Sequence, residues 1–177
     1  MAVWNVVNHT ELGSANATLI DVTSISSSYD HLYLIAKVRS SKNAYKHEMD
    51  MRFNADSGSN YGATHLFSGG SGDISSYTKS SQTAIVDIQI TGDFTLADTY
   101  STTEIWLPDY SNTTTNKTAI IQSTAANNSS TTYRQGLCVI GASWHDTSAI
   151  DRIQLYVASD QIMQYSSVTI YGINGAA

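Results

Sequence analysis

Cysteine occurs once, at Cys138, so no disulfide within the chain holds the fold. Proline also occurs once, at Pro108, and only 14% of the residues are charged. Nine Lys and Arg stand against fifteen Asp and Glu, a formal net charge of −6. Affinity for nucleic acid comes mainly from cations that neutralise phosphates, and here they are few and scattered, so no nucleic-acid partner is expected. No stretch approaches the roughly 18–20 apolar residues of a membrane-spanning helix, and no membrane partner is expected. The opening Met1-Ala2-Val3-Trp4-Asn5 lacks the basic start and long apolar run of a secretion signal, which leads to the expectation of a protein made and kept soluble in a cytoplasm. Helical spacing is missing too: no window carries apolar residues at i, i+3, i+4 and i+7 over the length of a helix.

What the chain does have is alternation. In Tyr29–Arg39, Leu32, Leu34, Ala36 and Val38 fall on one side, and His31, Tyr33, Ile35, Lys37 and Arg39 on the other. A period of two over that length predicts a strand with one buried face. Glu48–Asn54 alternates in the same way, with Met49, Met51 and Phe53 inward and Asp50 and Arg52 outward, and the two runs read as a hairpin joined by a loop. Ala84–Ile90 places Ala84, Val86, Ile88 and Ile90 inward. Further strands are predicted at 17–22, 64–68, 103–107, 117–122, 135–143, 150–157 and 167–173, and an exposed loop at 68–72. About nine to eleven short strands punctuated by turn residues predict an all-β fold, a two-sheet antiparallel β-sandwich of jelly-roll type. The expected organisation is an N-terminal arm over residues 1–12 and a single sandwich domain over 13–177.

Candidates for chemistry are sparse. Cys138 lies in the apolar run Leu137–Ile140 and reads as a small buried residue rather than a thiol activated by His145. Asp56-Ser57-Gly58-Ser59-Asn60 spaces its oxygens like a calcium loop, but it lacks the acidic density and the closing Glu, so it reads as a turn. His and carboxylate residues are dispersed, and no metal or cofactor is expected. Asp87, Glu104 and Asp109 are the carboxylates available for sugar hydrolysis, without a spacing that identifies a pair. No catalytic residue is assigned. The chain is rich in aromatics instead, with eleven Tyr and three Trp. Trp106 and Glu104 fall opposite Ile105, which directs Trp106 outward. Trp4, Val6, Val7, Trp106 and Tyr110 are the expected partner-binding residues, since exposed Trp and Tyr anchor interfaces and stack on sugars.

Several runs carry a resemblance: Tyr29–Leu34 with Val38-Arg39-Ser40, Met51–Tyr61, Pro108-Asp109-Tyr110 with Asn116-Lys117-Thr118, and Gln164–Ile173. This ordered set resembles virion structural proteins of tailed phages of marine and freshwater bacteria, cyanophages among them. Its most specific parts are Phe53-Asn54-Ala55-Asp56-Ser57 and Tyr171-Gly172-Ile173. The resemblance implies a place on the virion, as a head decoration or a fibre component, with no catalytic motif. The absence of a coiled-coil or collagen-like shaft turns the expectation towards a capsid decoration or cement protein. Such a protein would form a homo-oligomer, for example a trimer, and would touch other virion proteins such as the major capsid protein. The alternatives are a tail-fibre or spike tip that binds a host surface glycan and, third, a glycan-degrading enzyme.

Overall fold

Leu32, Leu34, Ala36 and Val38 are fully buried while Ile35 and Lys37 between them are exposed, so the alternating run becomes strand β3, His31–Val38. A computed structural model describes residues 4–68, 74–125 and 136–174. Before β3 come β1 (Trp4–Glu11) and β2 (Leu19–Val22). After it come β4 (Lys46–Phe53), β5 (Tyr61–Ser68), β6 (Ile74–Gln82), β7 (Ile85–Thr91) and β8 (Ser101–Leu107). β9 (Lys117–Thr124), β10 (Leu137–Trp144), β11 (Ile153–Tyr156) and β12 (Ser167–Ile173) complete the described strands. They form two antiparallel sheets, an eight-stranded one in the order β1-β12-β3-β8-β9-β10-β5-β6 and a four-stranded one in the order β2-β11-β4-β7. The fold is an all-β, jelly-roll-like sandwich.

The core lies between the sheets. One cross-strand row of the large sheet runs Ile170, Leu34, Ile105, Ile121 and Ile140, all fully buried. Met49, Met51, Phe53, Ile88, Ile153 and Leu155 of the small sheet are buried with them in one hydrophobic cluster. Each large side chain removed from water contributes about 1.5–3 kcal/mol before ordering costs. β3 itself spans eight residues; Tyr29 lies outside it and lays its ring over the backbone of Gly172, where a Cβ would come within 2.4 Å of the ring.

Three expectations change here. β3 and β4 are not a hairpin, because they belong to different sheets and β3 pairs with β12 and β8. Alternation is the same for strands that pair side by side and for strands that face each other across a core. The crossover is fixed by buried Arg39, whose guanidinium donates to the carbonyls of Leu96 (2.8 Å) and Thr99 (3.1 Å) and to the Asp93 carboxylate (3.0 Å). In β7 the phase slips: Asp87 has φ of 63°, the register against β4 shifts, and Ile85 rather than Val86 meets Met51. Such a bulge reverses the facing of the residues before it. Finally, residues 4–11 are not a separate arm, because β1 pairs along its length with β12 at the sheet edge, from Trp4↔Ile173 to Glu11↔Ser167. Residues 1–3, the expected loop at 69–72 and the predicted strand start at Gln135 lie outside the described residues.

Candidate recognition face

The outward residues of the large sheet are fixed by the same alternation that buries the core. Strand register aligns one outward row across all eight strands: Val6, Tyr171, Tyr33, Trp106, Ile120, Gly141, Thr64 and Thr78. Its first half, on β1, β12, β3 and β8, is aromatic. Trp4 packs edge-on to Tyr33 with ring centroids 5.1 Å apart and tilts against Tyr171 at 5.9 Å. Trp106 lies 6.4 Å from Tyr33 and 5.4 Å from His31. Trp4 remains 53% exposed despite these contacts. Burial, with help from a hydrogen bond to Glu104, pushes the Tyr33 hydroxyl up to about 12, so it stays a neutral donor to that carboxylate. The backbone N–H of Asp109 donates to His31 Nδ1 at 3.1 Å, which fixes the imidazole beside Trp106.

The second half of the face, on β9, β10, β5 and β6, is aliphatic and hydroxylic. Ile120, Val139, Leu137, Leu66 and Ile74 are exposed there. Beside Ile120 an open trough of about 490 Å³ runs over Gly141 and Gly62, walled by Thr118, Thr64 and Thr78. Of the eleven exposed large hydrophobic side chains among the described residues, eight lie on this outer face.

A second, polar cluster sits at the corner where β6 leads into β7. The Asp87 carboxylate accepts from the Tyr77 hydroxyl at 2.9 Å and pairs with Lys79, and Tyr77 stacks on buried His65. The backbone N–H of Asp87 donates to Asp50 at 3.3 Å. Burial is the main force pushing the Asp50 carboxyl up to about 6, and the nearby Asp87 charge adds to it. Asp50 and Asp87 oppose each other at the point where the β4–β7 register slips, between Met49↔Ile88 and Met51↔Ile85.

Of the expected partner-binding residues, Trp4, Val6 and Trp106 are brought onto one face. Val7 is not exposed with them: the register shift in β1 turns it inward, half-buried against the core. Tyr110 is fully buried, and its hydroxyl donates to the carbonyl of Ser26, so it holds a loop rather than a partner. Tyr33, Tyr171 and His31 were not singled out by sequence. Glu104 belongs to the outer face of the large sheet and Asp87 to the edge of the small one. Cys138 is buried, and burial pushes its thiol up to about 11. The Asp56 loop is a turn closed on itself: Asp56 accepts from the Gly58 N–H (2.7 Å), the Asn60 amide (2.9 Å) and the Trp144 indole (2.7 Å). These bonds, that from Asn60 foremost, hold its carboxyl below the usual range. Among the described residues no group of three His, Cys, Asp or Glu is placed to hold a metal ion.

Neither a family model nor a curated protein matches the chain. Among solved structures, it is similar to the galectin LEC-6 of Caenorhabditis elegans, at 9% identity, covering 95% of this chain and 96% of that one, with a TM-score of 0.37. It is also similar to the CBM40 domain of the Ruminococcus gnavus IT-sialidase bound to α2,6-sialyllactose, at 10% identity, covering 94% and 93%, with a TM-score of 0.39. These likenesses extend no further than the all-β sandwich, which the strand pairing establishes on its own.

Proposed function

We propose that this chain is a non-enzymatic structural protein of a phage virion, a decoration or cement protein on the capsid surface. In this reading it docks on the major capsid protein through the aromatic half of the outer face. The virion location rests on the sequence resemblance; the docking role rests on one observation, the clustering of exposed Trp4 with half-buried Tyr171, Tyr33, Trp106 and His31 in one outward-facing patch. Aromatic side chains held rigid by their neighbours supply large contact area at low ordering cost, and such residues dominate binding energy at interfaces. Glu104 and Lys37 beside them supply a polar rim.

The experiment is co-sedimentation of the purified chain with particles that lack it, followed by immunogold labelling of whole virions. Labels spread in many copies over the head are expected. Replacing Trp4 and Trp106 together by Ala is expected to weaken particle binding by about 2 kcal/mol or more, a drop of about thirty-fold, without unfolding the chain. Labels confined to a few copies at the tail would overturn the capsid reading. That outcome would favour a fibre or spike tip that binds a host glycan. The observation on its side is the Glu104 carboxylate set beside Tyr33 and Trp106, since a stacking ring next to a hydrogen-bond acceptor suits a sugar.

A further inference from the structure

The aliphatic half of the outer face differs from the aromatic half in one respect: it has no charged residue at an outward position, with Lys79 at the trough's border paired to Asp87. β9, β10, β5 and β6 each present four outward positions, and none of them holds Asp, Glu, Lys or Arg. They hold Ser, Thr, Gln, Gly and aliphatic residues only. Exposed sheet surface in water is ordinarily guarded by charges, and the centres of interfaces are where charges are depleted. The patch is also divided in two along the strands. Two neighbouring rows form a ridge, with Val139 beside Leu66 and Leu137 and Ile74 beyond them. The next two rows form the trough, floored by Gly141 and Gly62. A Cβ placed at Gly141 meets nothing within 4 Å, so the trough is open space over bare backbone.

We propose that this half of the face is a self-association surface and that its occupant is a second copy of the chain. The two copies are related by a two-fold axis lying in the interface plane and running across the strands, between the ridge and the trough. That operation reverses each strand end for end. The Leu66–Val139 ridge of one copy then enters the Gly141 trough of the other, and the reverse happens at the same time, as an isologous contact requires. The absence of charge removes any like-charge penalty when the surface meets itself. Four strands at about 4.8 Å spacing and about eight residues at 3.3 Å give about 500 Å² per copy, or about 1,000 Å² in all, the lower bound of a specific interface. The docking proposed above is not obstructed. Adjacent strands rotate by about 20–25°, so the centres of the two halves, four strands apart, face directions about 80–100° apart.

The test is the mass of the purified full-length chain by light scattering or sedimentation over a dilution series. A mass of twice the chain is expected, falling to the single-chain mass on dilution. Gly141→Arg puts a charge in the trough at a position where a new side chain has room, so the variant is expected to melt like the parent yet remain a single chain at every concentration. Leu66→Lys is expected to do the same from the ridge side. Gln154→Arg, on the outer face of the small sheet, is the control and is expected to leave the doubled mass unchanged. A parent chain of single mass throughout would overturn the proposal, whether or not a neutral oligosaccharide then proved to occupy the trough. So would a doubled mass that survives Gly141→Arg, or a mass of three or more chains.

Discussion

The two outer faces of this sandwich are built by the same alternation and end up chemically opposed. The face of the eight-stranded sheet shows an aromatic row, an apolar ridge and a glycine trough, with charges on its aromatic half alone. The face of the four-stranded sheet shows Lys46, Glu48, Asp50 and Arg52 along β4. There Asp21 is held by Arg152 through two hydrogen bonds of 2.8 and 2.6 Å, and the Arg52 guanidinium lies 4.8 Å over the Tyr156 ring. The inward sides of both sheets are mainly apolar, with His47, His65, Thr103, Lys117 and Ser123 as buried polar exceptions. Burial therefore dictates the inward residue at every second position and leaves the outward one free. Charge settles on the small sheet and stays off half of the large one.

The largest effect is expected where the alternation itself is attacked. Leu34→Asp places an unpaired carboxylate in the core, which costs several kcal/mol, comparable with the 5–15 kcal/mol that holds a typical domain together. No folded soluble protein is expected. Tyr33→Asp, one residue away on the outer face, should fold and lose mainly its ring contacts. Soluble yield and thermal melting compare the two, and equal behaviour would dissolve the distinction between inner and outer face.

A smaller effect is expected at Asp50, a half-buried carboxyl on the outward side of the small sheet. Its carboxyl in the folded protein, at about 6, lies above the ordinary value of 3.8. Folding is therefore favoured by its protonation: the contribution is fully present below about pH 4 and is lost as pH rises through 6. Asp50→Asn keeps an oxygen to accept the Asp87 N–H and never ionises. At pH 7.5 the variant should melt about 2–4 °C higher for each kcal/mol recovered, and at pH 4 the two proteins should converge. Melting curves across that range check it; a gain independent of pH would mean that the charge is not the cause.

The smallest effect is expected at the Asp21–Arg152 pair. Asp21→Asn should barely move the melting temperature at neutral pH, in low or high salt, because water already solvates both groups. A large loss would show that this face too is held by its charges and would narrow the contrast with the other.

Much of the fold was legible from the residues. β3, β4 and β12 were readable because each is half-buried and alternates strictly. β6 was not, because Ile74–Gln82 is an edge strand of Ser, Thr and Lys whose alternate residues mostly meet water. The β7 phase was misread because an extra residue at Asp87 cannot be seen in a list of apolar positions. The hairpin was misread because pairing and facing leave the same pattern. For the site, parity directed Trp106 outward, but its neighbours Tyr33, Tyr171 and His31 depend on which strands lie side by side. That order follows from the sandwich as a whole and not from any local stretch. Tyr110 was misjudged for a related reason: it lies past the end of β8 in a turn, where alternation no longer says which way a side chain points.

The pairing of β1 with β12 also sets a schedule. Trp4 finds Ile173 only after nearly all of the chain between them has been synthesised, and β3 likewise waits for β12 before its own edge is covered. A nascent chain therefore holds Leu32, Leu34 and the aromatic row without their partner strand for most of translation. Pairings this distant along the chain close slowly, in milliseconds to seconds for β-rich domains. The interval is one in which an unfinished copy can pair with another on the same message, so slower elongation near the 3′ end should lower soluble yield without altering the finished protein.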